Sequence, residues 1–374
     1  MKRLLEFDGL RFVLCLGIAI FHYSFRVPVK NETLQSFILT CSYFTDIFFV
    51  VSGLFLARRR NYSWDARHYA AFVGKRLARI YPLHVAAFSC FALLSILTAR
   101  GLLHPSAPPN MSWRDGLSQL LLVHNWGMGK TFSYNYVSWS LSALFLMYLA
   151  FPLFDLLCRR LGRWILVVIA MAVLGGDYLA ELFGASTITR IQFADIGVFR
   201  ALPSFLFGMW VARESPAWMP RWSIRLGLVA CLAIFLFYHP TNGFDGSGTL
   251  EGPWRLGFLY CFTYLLYAAS TQNVCTPLRW NILVKNARYS FAIFVLHPLV
   301  ALFFFNALPV GWADTTMGAL LLIAGCTLVT VVIAAVAWYL YENPLNRWLV
   351  ARIDAWLNGS VVTAVETASP AGSA

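Results

Sequence analysis

The sequence predicts an all-α fold, a polytopic bundle of about ten transmembrane helices, and three observations support it. Apolar residues make up 59% of the 374 residues and charged residues only 12%, against about 25% charged in an ordinary soluble domain. Apolar runs recur from near the N-terminus almost to the end, and runs of about 20 residues are what a bilayer core of about 30 Å requires. The runs do not alternate polar and apolar residues, which excludes a membrane β-barrel.

The apolar runs give the elements in order along the chain. The first run contains Arg11 and His22 and lacks a small-residue cleavage site, so we interpret it as a retained span rather than a signal peptide. Segment 117–127 is apolar but too short to cross, and we interpret it as a re-entrant or interfacial piece. The sixth and seventh spans are short. The predicted spans are 9–26, 36–57, 80–98, 136–157, 164–182, 197–212, 225–239, 256–271, 288–307 and 316–341.

The loop charges predict that both termini lie on the cytoplasmic side. With ten spans, 20 of the 29 Lys and Arg residues fall on the inner side and eight on the outer side, and Arg11 lies inside the first span. Cytoplasmic loops carry such an excess, so the net charge of +12 needs no nucleic-acid partner. Residues 1–357 are predicted to form one transmembrane domain, and the Ser-, Ala- and Thr-rich segment 358–374 is predicted to be a disordered tail.

Two ionisable residues of the first span share one helical face. Arg11 and His22 are 11 residues apart, which on an α-helix leaves them within about 20° of each other and about 16 Å apart along the axis. Ionisable residues inside a membrane are costly and usually functional, so the pair indicates a lined cavity. The alternative stays open that Arg11 extends to the inner interface while His22 hydrogen-bonds a neighbouring helix.

A basic stretch at 58–79 precedes the third span. Topology and anionic lipid headgroups explain most of its charges. Arg76 and Arg79 differ, because their spacing of three residues puts both on one helical face at the inner end of the span. Two guanidinium groups placed in this way can bind phosphate groups.

Other polar residues fall within later spans. Asp46 lies near mid-membrane and needs a basic partner, with a structural or a catalytic role both open. Gly53 is predicted to permit close helix approach. Pro298 frees a backbone carbonyl, which His297 could satisfy, unless it lines the same cavity as His22. Arg200, near the outer end of the sixth span, is a candidate to face an acceptor.

Seven short motifs occur in order along the chain. They are Asp8-Gly9-Leu10-Arg11 with His22; Asp46 to Gly53; Arg76 to Pro82; His124-Asn125-Trp126 with Trp139-Ser140-Leu141; Arg200 to Phe205 with Gly208; Ser290 to His297; and Tyr341 to Pro344. Together they resemble the motifs of the membrane-bound acyltransferase-3 family of bacterial O-acyltransferases. Many members have a glutamate where this chain has Leu144, so a glutamate role is not carried over. Either this chain works without it or another carboxylate substitutes.

The resemblance implies an activity and a location. Members transfer an acyl group, commonly acetyl, from cytoplasmic acyl-CoA to a sugar hydroxyl of a surface polysaccharide or glycolipid. We therefore expect acetyl-CoA or another acyl-CoA as the donor, no metal, and a glycan or lipid-linked glycan and membrane lipids as partners. The expected location is the bacterial cytoplasmic membrane.

The resemblance and the positions of the residues together give a predicted site. His22 is the expected general base or acyl carrier, and Arg11 is expected to orient the acyl donor or to stabilise charge along the same helix face. Four residues are assigned to the donor acyl-CoA and six to the acceptor side or cavity lining. The donor set is Arg76, Arg79, Ser52 and Tyr81, and the acceptor set is Asp46, Asn125, Trp139, Ser140, Arg200 and His297.

The main alternative is a secondary transporter or flippase for a lipid-linked or anionic substrate. Such a protein would also have about ten spans and intramembrane charges, but it should contain structural repeats with paired broken helices. The sequence has no visible internal repeat. A lipid-binding or assembly protein is a further alternative, but it would need no aligned pair of Arg11 and His22. Binding of CoA to the purified protein distinguishes the three classes.

Overall fold

The computed structural model describes residues 3–59, 62–104, 113–128, 133–183, 197–237, 253–307 and 314–367. Within these ranges every regular element is a helix, which confirms the predicted all-α class. The α-helices, in chain order, are α1 Leu5–Ser24, α2 Glu32–Thr40, α3 Phe44–Arg58, α4 Ala66–Ala99, α5 Trp113–Leu120, α6 Ser138–Leu161, α7 Trp164–Leu182, α8 Val198–Val211, α9 Arg221–Phe237, α10 Pro253–Gln272, α11 Asn281–Asn286, α12 Ser290–Asn306, α13 Thr316–Ala337 and α14 Asn343–Thr367.

Every predicted span falls on helical structure in this order. The second span consists of α2 and α3, joined by a 3₁₀ turn at Cys41–Tyr43, and 238–239 of the seventh lie outside the described residues. The count of ten and the orientation stay predictions. By length and composition alone, five described helical stretches could cross a membrane: Glu32–Arg58, Ala66–Ala99, Ser138–Leu161, Asn281–Asn306 and Thr316–Gly359.

Helix α4 begins 14 residues before the predicted start of the third span. Asp65 caps it, because its carboxylate accepts hydrogen bonds from the backbone N–H groups of Arg67 and His68 at 3.1 and 3.0 Å. The basic stretch 58–79 is therefore mostly helix and not a loop. The hydropathy of the sequence indicates only the apolar part of α4, which is a longer helix.

The last helix packs along the early turns of α4. Lys75 Nζ lies 2.5 Å from Asp354 Oδ1 across this contact. Helix α14 continues to Thr367, beyond the predicted domain boundary at 357. Residues 368–374 lie outside the described ranges, so the disorder of the end of the tail stays a prediction.

Helices α3 and α8 cross in backbone contact. A Cβ atom on Gly53 would lie 2.0 Å from the carbonyl oxygen of Phe205, and one on Gly208 would lie 1.9 Å from the carbonyl oxygen of Val50. Small residues at such crossings let membrane helices approach closely, and the predicted role of Gly53 is confirmed. The crossing also fixes the relative position of the polar residues that the two helices carry.

We expect Gly53→Ala to lower the melting temperature of the detergent-solubilised protein, because the added methyl group collides with backbone that cannot rotate away. Overpacking of this kind costs about 1–3 kcal/mol. Gly175→Ala is the matched control, since a Cβ atom there meets nothing within 4 Å and alanine favours a helix interior. Equal melting temperatures for the two variants would mean that the crossing is looser than described.

Helix α1 lies inside the bundle and contacts α3, α11, α12 and α13. Its apolar side chains, among them Phe7, Leu14 and Ile18, are almost fully buried. Burial of this face fixes the rotation of α1 and so directs His22 towards α12. The first span of the predicted topology is thus a central element of the fold.

Candidate active site

Two histidines from different helices meet near the C-terminal end of α1. His22 Nδ1 lies 2.9 Å from Nε2 of His297 on α12. The rings are stacked with centroids 5.0 Å apart, and Tyr136 packs edge-on against His22 at the same centroid distance. His297 is fully buried, whereas His22 is only partly buried. Residues 275 positions apart in the chain therefore form one polar pair.

The proline after His297 favours one assignment of the ring protons in this pair. Pro298 has no N–H, so the carbonyl of Phe294 loses its helical partner. His297 Nδ1 lies 2.9 Å from that oxygen and 3.2 Å from the oxygen of Ile293. A neutral His297 that donates from Nδ1 has a lone pair on Nε2, which accepts the Nδ1–H of His22. The lone pair of His22 then lies on Nε2.

The hydrogen-bonding alternative predicted for each of these histidines is confirmed, while a cavity that they line stays a prediction. His297 satisfies the freed carbonyl and also contacts His22. His22 hydrogen-bonds a neighbouring helix and keeps one ring nitrogen outside that bond. A structural contact and a proton-accepting role are thus compatible in the same side chain.

A buried polar network fixes the segment before α6 against this pair. Asn135 Nδ2 donates to the carbonyl of Val295 at 3.0 Å, and Gln119 Nε2 donates to the carbonyl of Asn135 at 3.2 Å. His84 Nε2 lies 2.9 Å from the carbonyl oxygen of Gln119. The network positions Tyr136 beside His22. The sequence analysis did not predict this polar network, although a glutamine and a histidine inside apolar runs are a usable signal for one.

Asp46 and Arg200 form a buried ion pair between α3 and α8. Arg200 Nε donates to Asp46 Oδ1 at 2.8 Å and Nη2 donates to Oδ2 at 2.6 Å. The side chain of Asp46 is 0% exposed and that of Arg200 is 3% exposed. The predicted need of Asp46 for a basic partner is confirmed. Arg200, predicted to face an acceptor, points its guanidinium at Asp46 and over the ring of Trp139, at 5.7 Å.

The other residues assigned to the acceptor side lie close to this ion pair or are bonded locally. A Cβ atom on Gly197 would lie 2.4 Å from Asn125 Oδ1 and 2.9 Å from Cε3 of Trp139, so both side chains press against the start of α8. Ser140 Oγ instead donates to the carbonyl of Val137 at 3.3 Å. Ser140 is therefore bonded within the first turn of its own helix.

Two of the motifs, far apart in sequence, meet where the first half of α4 packs beside the segment that precedes α14. Arg79 Nη1 lies 2.5 Å from Oε1 of Glu342, whose side chain is only 3% exposed. Tyr341 donates from its hydroxyl group to the carbonyl of Pro82 at 3.2 Å, and the half-buried Tyr81 precedes that proline. Sequence reasoning did not assign Glu342, which neutralises one of the two arginines of the predicted phosphate clamp.

Arg76 has a different environment from Arg79. Its guanidinium carbon lies 5.9 Å from the ring centre of Tyr148, and among the described residues no carboxylate forms an ion pair with it. Tyr148 also interacts with the hydroxyl group of Ser52 and with the charge of Arg11. Arg11 itself is bonded to Asp8 at 2.5 Å. Residues of the predicted donor set thus gather around Tyr148, a residue that sequence reasoning missed.

The position of the family glutamate is apolar here. Leu144 is partly buried and packs against the hydrophobic interior. The carboxylates of two other motifs are already paired with arginines, Asp46 with Arg200 and Glu342 with Arg79. Neither is an unpaired carboxylate of the kind that a substitute base would need.

Comparison with known proteins agrees with this arrangement of motifs. A family model described as an acyltransferase domain, acyltransferase-3, matches residues 4–339. Acyltransferase MdmB of Streptomyces mycarofaciens is 26% identical over 390 residues, which cover 93% of this chain and 92% of that protein. No solved structure matches the chain. Because the family model covers nearly the whole chain, this apolar, helical protein belongs to the acyltransferase-3 family and is a membrane acyltransferase.

Proposed function

We propose that the protein transfers an acyl group, most simply acetyl, from cytoplasmic acyl-CoA to a hydroxyl group of a surface polysaccharide or glycolipid. The proposed location is the bacterial cytoplasmic membrane. The observation that carries the proposal is the hydrogen bond between His22 and His297, because it leaves Nε2 of the partly buried His22 outside that bond as the proposed proton acceptor. Membership of an acyltransferase family favours this function over a transporter.

In the proposed reaction, His22 acts as the general base. The acceptor hydroxyl gives its proton to His22 Nε2 while its oxygen attacks the thioester carbonyl carbon. The carbon–sulfur bond breaks, and the departing CoA thiolate takes the proton from the imidazolium. The products are an ester and CoA. His297 supports the charged intermediate, because its Nε2 accepts the Nδ1–H of His22, and the carbonyl of Phe294 holds His297 in that orientation.

Arg76 is the proposed contact for a phosphate group of the donor. Its guanidinium lies against an aromatic ring and has no ion-pair partner among the described residues, so its charge is available. Arg79 shares its charge with Glu342 and would first have to release that carboxylate. Ser52, Tyr81 and Arg11 complete the proposed donor side. A guanidinium suits phosphate because it presents two parallel N–H donors.

The ion pair of Asp46 and Arg200 is proposed to stabilise one wall of the acceptor site. This pair and the ring of Trp139 are packed together, and Asn125 presses on the same helix end. In the proposal these residues shape the wall of the acceptor site, while His22 is the group that touches the reacting oxygen. A saccharide acceptor would be bound by the partly exposed side chains around His22.

Acyl-CoA binding and the chemistry at the cell surface test the proposal together. The purified protein in lipid nanodiscs should bind acetyl-CoA in a saturable way by isothermal titration calorimetry. Surface glycans from cells with and without the gene should differ in acyl esters by mass spectrometry. A transporter or flippase would leave the glycan acyl content unchanged and would not bind CoA, and that result would contradict the proposal.

We expect Arg76→Ala to raise the dissociation constant for acetyl-CoA by about tenfold or more. Hydrogen bonds to charged groups contribute about 1.5–3 kcal/mol, and 1.4 kcal/mol corresponds to a factor of ten. Lys75→Ala is the matched control, since it removes a charge from the neighbouring position, where Lys75 pairs with Asp354. If the double variant Arg76→Ala/Arg79→Ala binds CoA like the wild type, the only role of these arginines is to set the orientation of the protein in the membrane.

A further inference from the structure

A large apolar cavity lies outside the sets of residues assigned to the donor and the acceptor. It has a volume of about 640 Å³ and lies between α1, α3, α9, α10 and the turn after α10. Its walls are almost entirely apolar, with Leu14, Ile47, Leu228, Phe235, Phe258 and Phe262 among the lining residues. Neither His22 nor Arg11, Arg76 or Arg79 lines it. The proposed acyl transfer therefore gives this cavity no role.

The length of the cavity matches one leaflet of a bilayer. Along α9 its lining runs from Arg225 to Phe235, and ten residues of α-helix span about 15 Å. The hydrocarbon core of a bilayer is about 30 Å thick, so the cavity extends over about half of it. Val229 and Leu232 line the cavity and are 63% and 56% exposed, which leaves it open sideways. In a membrane, that opening faces lipid.

One charged side chain lies at the end of this apolar lining. Arg225, on the second turn of α9, is exposed, and the described residues provide it with no ion-pair partner. By the loop charges this end is the cytoplasmic one. A guanidinium beside an apolar cavity fits a ligand with an anionic head and an apolar tail. The cavity and the charge therefore specify the same kind of molecule.

A phospholipid fits these features better than a second acyl-CoA. CoA carries several phosphate groups and a long polar chain, whereas this cavity offers one cation and almost no polar lining. A phosphodiester headgroup needs one cation, and its acyl chain needs about one leaflet of apolar surface. The opening also faces the region where phospholipid is present.

We propose that this cavity is a binding site for an anionic phospholipid of the inner leaflet, with one acyl chain between α1, α9 and α10 and the headgroup phosphate on Arg225. The site is separate from the proposed acyl-transfer site and does not depend on the identity of the donor or acceptor. The bound phospholipid contacts both α9, which borders the cavity, and the central helix α1.

Lipid titration followed by native mass spectrometry tests the proposal on the full-length, delipidated protein in detergent. The probes are dipalmitoyl phosphatidylglycerol and dipalmitoyl phosphatidylcholine, which share acyl chains and differ in net charge. We expect one site that prefers phosphatidylglycerol, and we expect Arg225→Gln to weaken that binding about tenfold. The matched control is Arg221→Gln, one turn earlier on the same helix, exposed and outside the cavity lining. It should change the affinity less than twofold.

A second measurement uses the wild-type protein and so does not depend on how the variants fold. Phosphatidylglycerol with a photoreactive diazirine in its acyl chain should crosslink to peptides that contain 225–235 and 258–266. Crosslinks confined to other helices would overturn the proposal. Equal affinity for the two lipids, or equal loss in the Arg221 and Arg225 variants, would also overturn it. Displacement of the lipid by palmitoyl-CoA in an Arg225-dependent way would instead identify a second donor site and reject the phospholipid.

Discussion

His22→Gln is expected to lower the rate of acyl transfer by about 10²–10⁴-fold while the protein still folds and binds acyl-CoA. Glutamine keeps the size and hydrogen-bonding capacity of histidine but cannot take a proton at neutral pH, and loss of a general base has effects of this magnitude. The measurement is the initial rate of CoA release by the purified protein with its acceptor. Acetyl-CoA affinity measured on the same sample separates a catalytic defect from a folding defect.

His297→Gln is the informative companion variant. Its amide oxygen can still accept the Nδ1–H of His22, but an amide orients and stabilises the imidazolium less well than the His297 ring that Phe294 holds in place. We therefore expect an intermediate loss, smaller than that of His22→Gln. Wild-type turnover in His22→Gln would make His22 structural, and His297 would be the next candidate for the base.

The form of the His22 chemistry can be determined by the same preparation. A labelled acyl group trapped on His22 in the absence of acceptor would indicate an acyl-histidine intermediate. If both His22→Ala and His22→Gln fold and bind acyl-CoA but transfer nothing, and no label is trapped on wild-type His22, the residue acts as a base. The hydrogen bond from Nδ1 to His297 is compatible with either role, since Nε2 is the reacting atom in both.

The fold class was predictable because composition and run length reflect the environment of each segment directly. The boundary of α4 was not, because its first turns carry arginines and lie outside the apolar run. Those turns are helical owing to the cap from Asp65 and the contact between Lys75 and Asp354. Hydropathy detects burial in lipid but does not detect a polar helix that another helix stabilises.

The membership of the site stays a prediction, whereas the pairings between its residues are observed and could not be foreseen from the sequence. Sequence placed His22 and His297 on spans, but which spans are neighbours depends on the packing of α1 against α12. For the same reason the carboxylate of Glu342 beside Arg79 could not be foreseen, nor the ring of Tyr148 beside Arg76. Asp46 was the exception. The cost of an isolated charge in a membrane required a partner, although it did not identify Arg200.

Asp46→Asn is expected to destabilise the protein by about 3–5 kcal/mol. The substitution leaves the buried guanidinium of Arg200 without its carboxylate, and breaking a buried ion pair from one side has a cost of this size. Thermal unfolding in detergent measures the loss. The matched control is Asp354→Asn, which removes a carboxylate from the more exposed pair with Lys75, and exposed pairs contribute about 0–1 kcal/mol. Similar losses for both variants would contradict the buried character of the pair between Asp46 and Arg200.

The double variant Asp46→Leu/Arg200→Met separates a structural role of this pair from a functional one. Replacing both charges removes the uncompensated ion, and apolar replacements of buried ion pairs are often neutral or stabilising. We therefore expect the double variant to melt at a higher temperature than either single variant. If the double variant also transfers acyl groups, the only role of the pair is to join α3 to α8 beside the crossing at Gly53 and Gly208. If it folds and binds acyl-CoA but has lost transfer, the pair has a role in acyl transfer beyond stability, because the stability that the pair provided has been restored by other means.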